Sequence, residues 1–219
     1  MKLNAVDISK SASAASIVFD ALRTAIIDGE LEDGAPLRQD EIAKLFNTSR
    51  IPVREAITML EQQGLVVTRR YKGATVAGLS PDEASEIFDF RALLEGSVIE
   101  AAVPKMSRET LQSARACFEA FSQSSDPMSW GALNRKFHYE LYKDSGLSYH
   151  LQIINNALDR IDRYLRAQIL MSNGMERANA EHLAILAACE SGRAKDAAEL
   201  TRRHILGAKT TLLDALNAK

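Results

Sequence analysis

The side chains best equipped for chemistry in this 219-residue chain are its four histidines. His182 precedes Gly192 by ten residues and His204 follows it by twelve. If the chain reverses near Arg193 as an antiparallel helical hairpin, the two imidazoles stand at one level. His204 shares a helix face with Leu200 and Ala208, and His182 shares one with Leu186, so both read as inward-pointing. Asn134 and His138, four residues apart, form a further pair that can meet a single point. Imidazoles converging in an apolar bundle suit Zn, Ni or Co better than Mg, which prefers oxygen. An open position beside neutral ligands would invite a carboxylate, which makes a small carboxylic acid the favoured effector. Partly buried histidines bonded to neighbouring polar groups are the alternative. His150, just after a helix start, reads as a surface residue.

Three further residues bear on that pocket. Arg91 offers a second anchor for an acid, although a pair with Glu95 one turn away explains it equally well. Asn155 and Asn156 interrupt the apolar pattern of residues 151–165 and could line the cavity. The aromatics Phe118, Phe121, Trp130, Phe137 and Tyr164 read as core packing.

The second chemical feature is a basic edge. Arg50 and Arg54 share one face of a predicted helix whose other face carries Val53, Ala56, Ile57 and Leu60. Ser49 suits its N-cap, Pro52 its first turn and Gly64 its stop. Only Asn47 and Thr48 separate it from a shorter helix at 39–46, the turn length of a helix-turn-helix pair. The net charge is −2, so no global positive field points to nucleic acid. The basic signal is local instead: residues 50–72 hold five Lys/Arg against two acids. Such a helix fits the major groove of duplex DNA, with its N-terminal amides favouring a phosphate. Tyr71-Lys72-Gly73 then reads as a turn between short strands at 65–70 and 74–77. A glycine at that tip allows close approach to a groove floor, and Tyr71 and Lys72 would flank it on the phosphates.

The elements that must position these groups follow from periodicity. A loose arm at 1–12 precedes a helix at 14–28; with the helix pair and the hairpin this predicts a winged helix-turn-helix domain over residues 1–79. Ser80 and Pro81 open the next helix, and strand signals cease. Helices are predicted at 81–106, 108–121, 129–145, 148–171, 175–191 and 194–216, joined by short polar breaks. The fold class is therefore mainly α: a winged head followed by an antiparallel six-helix bundle over 80–219, expected to bind effector and to dimerise. Cys117 and Cys189 lie in apolar helical patterns without redox or metal-knuckle spacing, so reduced buried thiols are expected. No stretch approaches eighteen uninterrupted apolar residues, which predicts no membrane partner and a cytoplasmic location.

The run from Gly34 to Gly78 resembles the winged helix-turn-helix domain of the GntR family of bacterial transcription regulators. The resemblance rests on Gly34, Leu37-Arg38, Ser49-Arg50-x-Pro52-Val53-Arg54-Glu55-Ala56, Leu60, Gly64-Leu65-Val66 and Gly73. It implies that Arg38, Arg50 and Arg54 contact an operator and that Gly73 enters the minor groove. Phe90-Arg91-x-x-Leu94-Glu95, Asn134-x-x-Phe137-His138-x-x-Leu141, Glu181-His182-x-x-Ile185-Leu186 and His204 are similar to the effector domain of the FadR subgroup (the FCD domain). Six helices would place it in the shorter VanR-like branch. By this resemblance His138, His182 and His204 are metal ligands. The family usually has an aspartate where Asn134 stands, so the site here would lack a negative charge. A homodimer on a symmetric operator, acting as a repressor, completes the expectation. An enzyme is not expected, since no H-E-x-x-H motif, nucleophile elbow or phosphate loop accompanies the histidines. A metal-dependent hydrolase and a DNA-binding scaffold without effector are the rival readings.

Overall fold

A computed structural model describes residues 13–171 and 174–217. The arm expected at 1–12 lies outside the described residues. The chain divides into two compact units that meet between Gly78 and Leu79.

The first unit opens with α1 (Ala14–Ile27), capped by Ser13, whose Oγ accepts from the Ser16 N–H at 3.1 Å. Ala15, Val18, Phe19, Leu22 and Ile26 give it one buried stripe. After β1 (Pro36–Leu37) come α2 (Gln39–Leu45) and α3 (Arg50–Gln62). Between these helices Asn47 sits at φ 46°, and Thr48 donates to the Ala43 carbonyl at 2.9 Å. That left-handed closure ends α2 and turns the chain into α3. α3 ends the same way at Gly64, φ 70°, with Leu65 N–H on the Leu60 carbonyl at 3.0 Å.

β2 (Val66–Arg69) and β3 (Gly73–Val76) form the wing, in register from Val66 opposite Val76 to Arg69 opposite Gly73. β1 pairs antiparallel on the far side of β3, giving the order β1-β3-β2. The core joins the α1 stripe to Val53, Ala56, Ile57 and Leu60 of α3, closed by Leu65 and Val76. Each valine, leucine, isoleucine or phenylalanine among them contributes about 1.5–3 kcal/mol by leaving water.

The second unit is helical: α4 (Pro81–Ala102), α5 (Arg108–Gln123), α6 (Pro127–Tyr142), α7 (Ser148–Met171), α8 (Gly174–Glu190) and α9 (Ala194–Asn217). Ser80 Oγ caps α4 by accepting from Glu83 N–H at 3.1 Å, with Pro81 in the first turn. Phe88, Val98, Ile99, Phe137, Leu141, Ile161, Ile185 and Leu186 belong to one continuous core. α4 runs against α9 closely at Gly96, where an added Cβ would stand 2.6 Å from Arg202 Nε. The winged head and helical body are those expected from the sequence. Three local features differ from it. β1 forms where the sequence suggests only a turn; the helix expected at 81–106 stops at Ala102 and continues as a 3-10 turn, Val103–Lys105, around Pro104; and α6 begins at Pro127 and gives way to a 3-10 turn at Lys143–Ser145.

Cys117 and Cys189 are buried and free, and burial, followed by nearby Glu190, pushes the Cys189 thiol up to about 12. It stays protonated and unreactive. Among the described residues no helix is long and apolar enough to cross a membrane.

Candidate functional site

In the head, packing decides which side chains remain outside. Burial of Val53, Ala56, Ile57 and Leu60 turns the opposite face of α3, with Arg50 and Arg54, to solvent. Ser49 holds the N-cap position with extended backbone but makes no side-chain capping bond. Its hydroxyl is therefore not committed to ending the helix. Arg50 Nε lies 2.9 Å from Asp40 on α2, and Arg38, which precedes α2, lies 2.9 Å from Glu41. All four side chains stay about two-thirds exposed, so these pairs are weak and exchangeable.

Arg38, Arg50, Lys72 and Gly73 line one open cleft, together with the start of α2. At the wing tip Tyr71 is 91% exposed at φ 65°, uncommon for a residue with a Cβ, and the Arg70 guanidinium lies 5.0 Å from its ring centre. Gly73 holds φ 79°, and a Cβ added there would meet no heavy atom within 4 Å, so backbone conformation rather than crowding selects glycine.

In the body, α8 ends at Gly192, φ 66°, with Arg193 N–H on the Ala188 carbonyl at 2.9 Å. This closure fixes the α8–α9 reversal. His182 and His204 consequently face each other with ring centres 4.7 Å apart, and His138 of α6 stands 5.0 and 5.2 Å from them. One nitrogen from each ring lies within 4.8 Å of the others. Phe121 and Phe137 pack against the His182 ring at 4.9 and 4.7 Å, walling that side. Burial, then the neighbouring imidazoles, hold His182 well below the usual histidine range; burial, His204 and Arg91 do so for His138. Both rings are thus neutral, the form that ligates metal.

Behind the cluster lie carboxylates. His138 Nδ1 is 3.1 Å from the Tyr142 hydroxyl, which donates to Glu95 Oε2 at 2.9 Å; Glu95 Oε1 accepts from Arg91 Nε at 2.6 Å. His204 Nδ1 is 2.7 Å from Glu181 Oε2. Burial first, then Glu95, raises the Tyr142 phenol well above its ordinary value, keeping it a donor. By contrast His138 Nε2 and both nitrogens of His182 are buried without a hydrogen-bond partner. Unpaired buried polar atoms are costly, and a cation at the meeting point would satisfy His138 Nε2 and the lone-pair nitrogen of His182. The donor set fits a borderline transition ion.

The remaining sequence-derived positions fall around this centre. Asn134 is half-buried, one turn before His138 on α6. Arg91 is buried in the pair with Glu95, one of the two roles its spacing allowed. Asn155 lines a narrow cavity with His138, Tyr142 and Arg135; Asn156, also half-buried, is not part of that lining. His150 is partly rather than fully exposed. Sequence reasoning missed Asp40 opposite Arg50, Glu181 behind His204, and Arg135, which reaches Asp159 at 2.7 Å and Asp162 at 2.5 Å. Spacing gave no signal for these, because each pair crosses between helices.

A winged head that presents basic side chains and a helical body that gathers imidazoles define a two-domain DNA-binding regulator. The model of the gntR family of bacterial regulatory proteins matches residues 14–76, and that of the FCD domain matches residues 86–207. The chain belongs to the GntR family of transcription regulators and carries an FCD-type C-terminal domain. It is 32% identical over 141 residues to an HTH-type transcriptional regulator from the TAR-I ttuE-ttuC' intergenic region of Agrobacterium vitis, covering 62% of this chain and 82% of that one. It is 28% identical to the HTH-type transcriptional repressor GlaR of Escherichia coli, over 84% of this chain and 89% of the relative. A solved GntR-family regulator from Pseudomonas syringae pv. tomato superposes with a TM-score of 0.57 at 30% identity, covering 94% of this chain and 86% of that one. These relatives are regulators, and the chain is a regulatory protein rather than an enzyme.

Proposed function

We propose that this regulator's affinity for its operator is set by a small organic acid held beside a divalent transition metal, Zn or else Ni or Co, in the helical body. The convergence of nitrogens from His138, His182 and His204, with buried and unpartnered atoms on two of them, carries the reading. Asn134, on the His138 face of α6, is the candidate fourth ligand through its carbonyl oxygen. Once bound, the ion would offer positive charge to a carboxylate in a low-dielectric interior. Asn155 and Asn156 would donate amide N–H groups to the acid, whereas Arg91 would reach it only by exchanging its partner Glu95.

In the head, Arg50 and Arg54 read base edges or phosphates from the start of α3. Arg38 and Ser49 hold the DNA backbone at the openings of α2 and α3. Tyr71, Lys72 and Gly73 bring the wing tip to the minor groove. The protein acts as a cytoplasmic homodimeric repressor on a symmetric operator, with the body supplying the subunit contact. The six helices α4–α9 favour the VanR-like branch of the FadR subgroup.

The test is elemental analysis of wild type and His182→Ala, with operator binding measured by fluorescence anisotropy across a panel of carboxylic acids. Wild type should carry a stoichiometric ion and respond to an acid; His182→Ala should lose the ion and keep basal DNA binding. Equal metal content in both proteins overturns the site. Operator affinity indifferent to metal and every acid reduces the protein to a DNA-binding scaffold, and turnover of an ester without DNA affinity would favour a hydrolase.

A further inference from the structure

Around the histidine cluster the hydrogen-bond partners determine where each imidazole proton resides. Glu95 carries two acceptor oxygens: one takes the Arg91 Nε–H at 2.6 Å, the other the Tyr142 O–H at 2.9 Å. A phenol has a single proton, and here it is given to Glu95. Toward His138, at 3.1 Å, the Tyr142 oxygen can therefore only accept, so the His138 proton sits on Nδ1. Its Nε2 lone pair is left free, and Nε2 is a buried atom without a partner. Glu95, Tyr142, His138 and Arg91 are all buried, so bulk water does not compete for these bonds. At His204 a carboxylate, which accepts only, stands 2.7 Å from Nδ1 and places the proton there too. Glu181 itself is one-third exposed, with its other oxygen 3.8 Å from Arg177 Nε. His182 differs: neither nitrogen has a hydrogen-bond partner, and the ring packs against Phe121, Phe137 and the other two imidazoles.

We infer that Glu181 and the Glu95–Tyr142 pair are positioning residues which preset His138 and His204 to meet an ion through Nε2, leaving His182 as the ligand free to choose its nitrogen. The inference rests on the metal reading above. A carboxylate behind a ligating imidazole fixes its tautomer and raises its basicity, and loss of such a partner lowers metal affinity by roughly 10–100-fold. Two of the three rings thus need no proton rearrangement on loading. Glu181 acts on its cross-hairpin neighbour, not on the histidine adjacent to it in sequence.

The test uses the full-length protein with Zn(II) affinity measured by chelator competition, the Co(II) absorption spectrum, and histidine tautomers in the metal-free protein by long-range 1H–15N correlation. Wild type should show Nδ1–H on His138 and His204 before loading. Glu181→Leu should weaken Zn(II) by roughly 10–100-fold and alter the Co(II) spectrum while the metal-free protein stays folded. Glu181→Gln, which keeps an acceptor but no charge, should fall between, and Tyr142→Phe should release the His138 tautomer. A wild type that loads while Glu181→Leu loads equally tightly with the same spectrum overturns the positioning role and leaves the metal site standing, as does an Nε2–H tautomer at either ring. A wild type that takes up neither Zn(II) nor Co(II) overturns both.

Discussion

Arg50 on α3 points its Nε at Asp40 on α2, 2.9 Å away, so an arginine proposed above to read DNA is met by a carboxylate of its own domain. With both side chains about two-thirds exposed the pair is worth at most about 1 kcal/mol, less than a charge-assisted bond to phosphate or guanine. If Arg50 contacts DNA as proposed, Asp40 would compete with DNA for it rather than anchor it. Asp40→Asn should tighten binding to operator and to random duplex alike by a few-fold, measured by anisotropy at fixed salt. Weaker binding would mean instead that Asp40 aims Arg50 in the complex.

Arg54 and Lys72 should separate by what they read. Arg54→Ala, if the contact is bidentate to a base, costs about 1–3 kcal/mol on the operator and little on random sequence. Lys72→Ala, on the exposed wing tip, should weaken both equally and reduce the slope of log affinity against log salt by about one. Anisotropy titrations at several salt concentrations distinguish the two patterns.

Acid should weaken the metal-free protein. His138 and His182 titrate well below the ordinary histidine value in the folded state and near 6.5 when unfolded. Below that value the unfolded chain binds more protons, so stability is full above about pH 6.5 and falls as pH drops further. Each ring contributes up to about 1.4 kcal/mol per pH unit in that range. Chelator-treated protein should show a lower denaturation midpoint at pH 5.5 than at pH 7.5; a flat profile would contradict the buried neutral state.

Arg135 pairs with two buried carboxylates, Asp159 and Asp162, and its removal takes that counter-charge from both. Arg135→Met should destabilise the body by about 3–5 kcal/mol in urea denaturation. Burial already raises Asp162, with Arg135 opposing. The raised carboxyl is neutral more readily at low pH, so the gap between variant and wild type should narrow on acidification.

What sequence could and could not disclose divides along one line. Groups placed by a single helix or a single turn are legible: the α3 stripe through its 3.6-residue spacing, and the level of His182 and His204 through the count to Gly192. Groups defined by contact between elements are not. β1 is two residues long and contains a proline, so no alternation marks it; it exists through Thr75 and Ala74 of β3. Adjacent residues on a helix point about 100° apart, so Glu181 turns away from His182, and nothing in its spacing reveals that its carboxylate meets His204 on α9. Asp40 likewise meets Arg50 only because the Asn47 turn brings α2 and α3 together.

The reversal at Gly192 brings two donors from adjacent helices, but the third comes from α6, far earlier in the chain. During synthesis, then, His138 emerges from the ribosome well before the hairpin that completes the triad. On the metal reading proposed above, ion capture would wait until His204 has cleared the exit tunnel, which would make loading a late step of biogenesis. A product truncated before α9 would lack His204, and with it the third imidazole and the core residues Ala197, Ala198, Ile205 and Leu212.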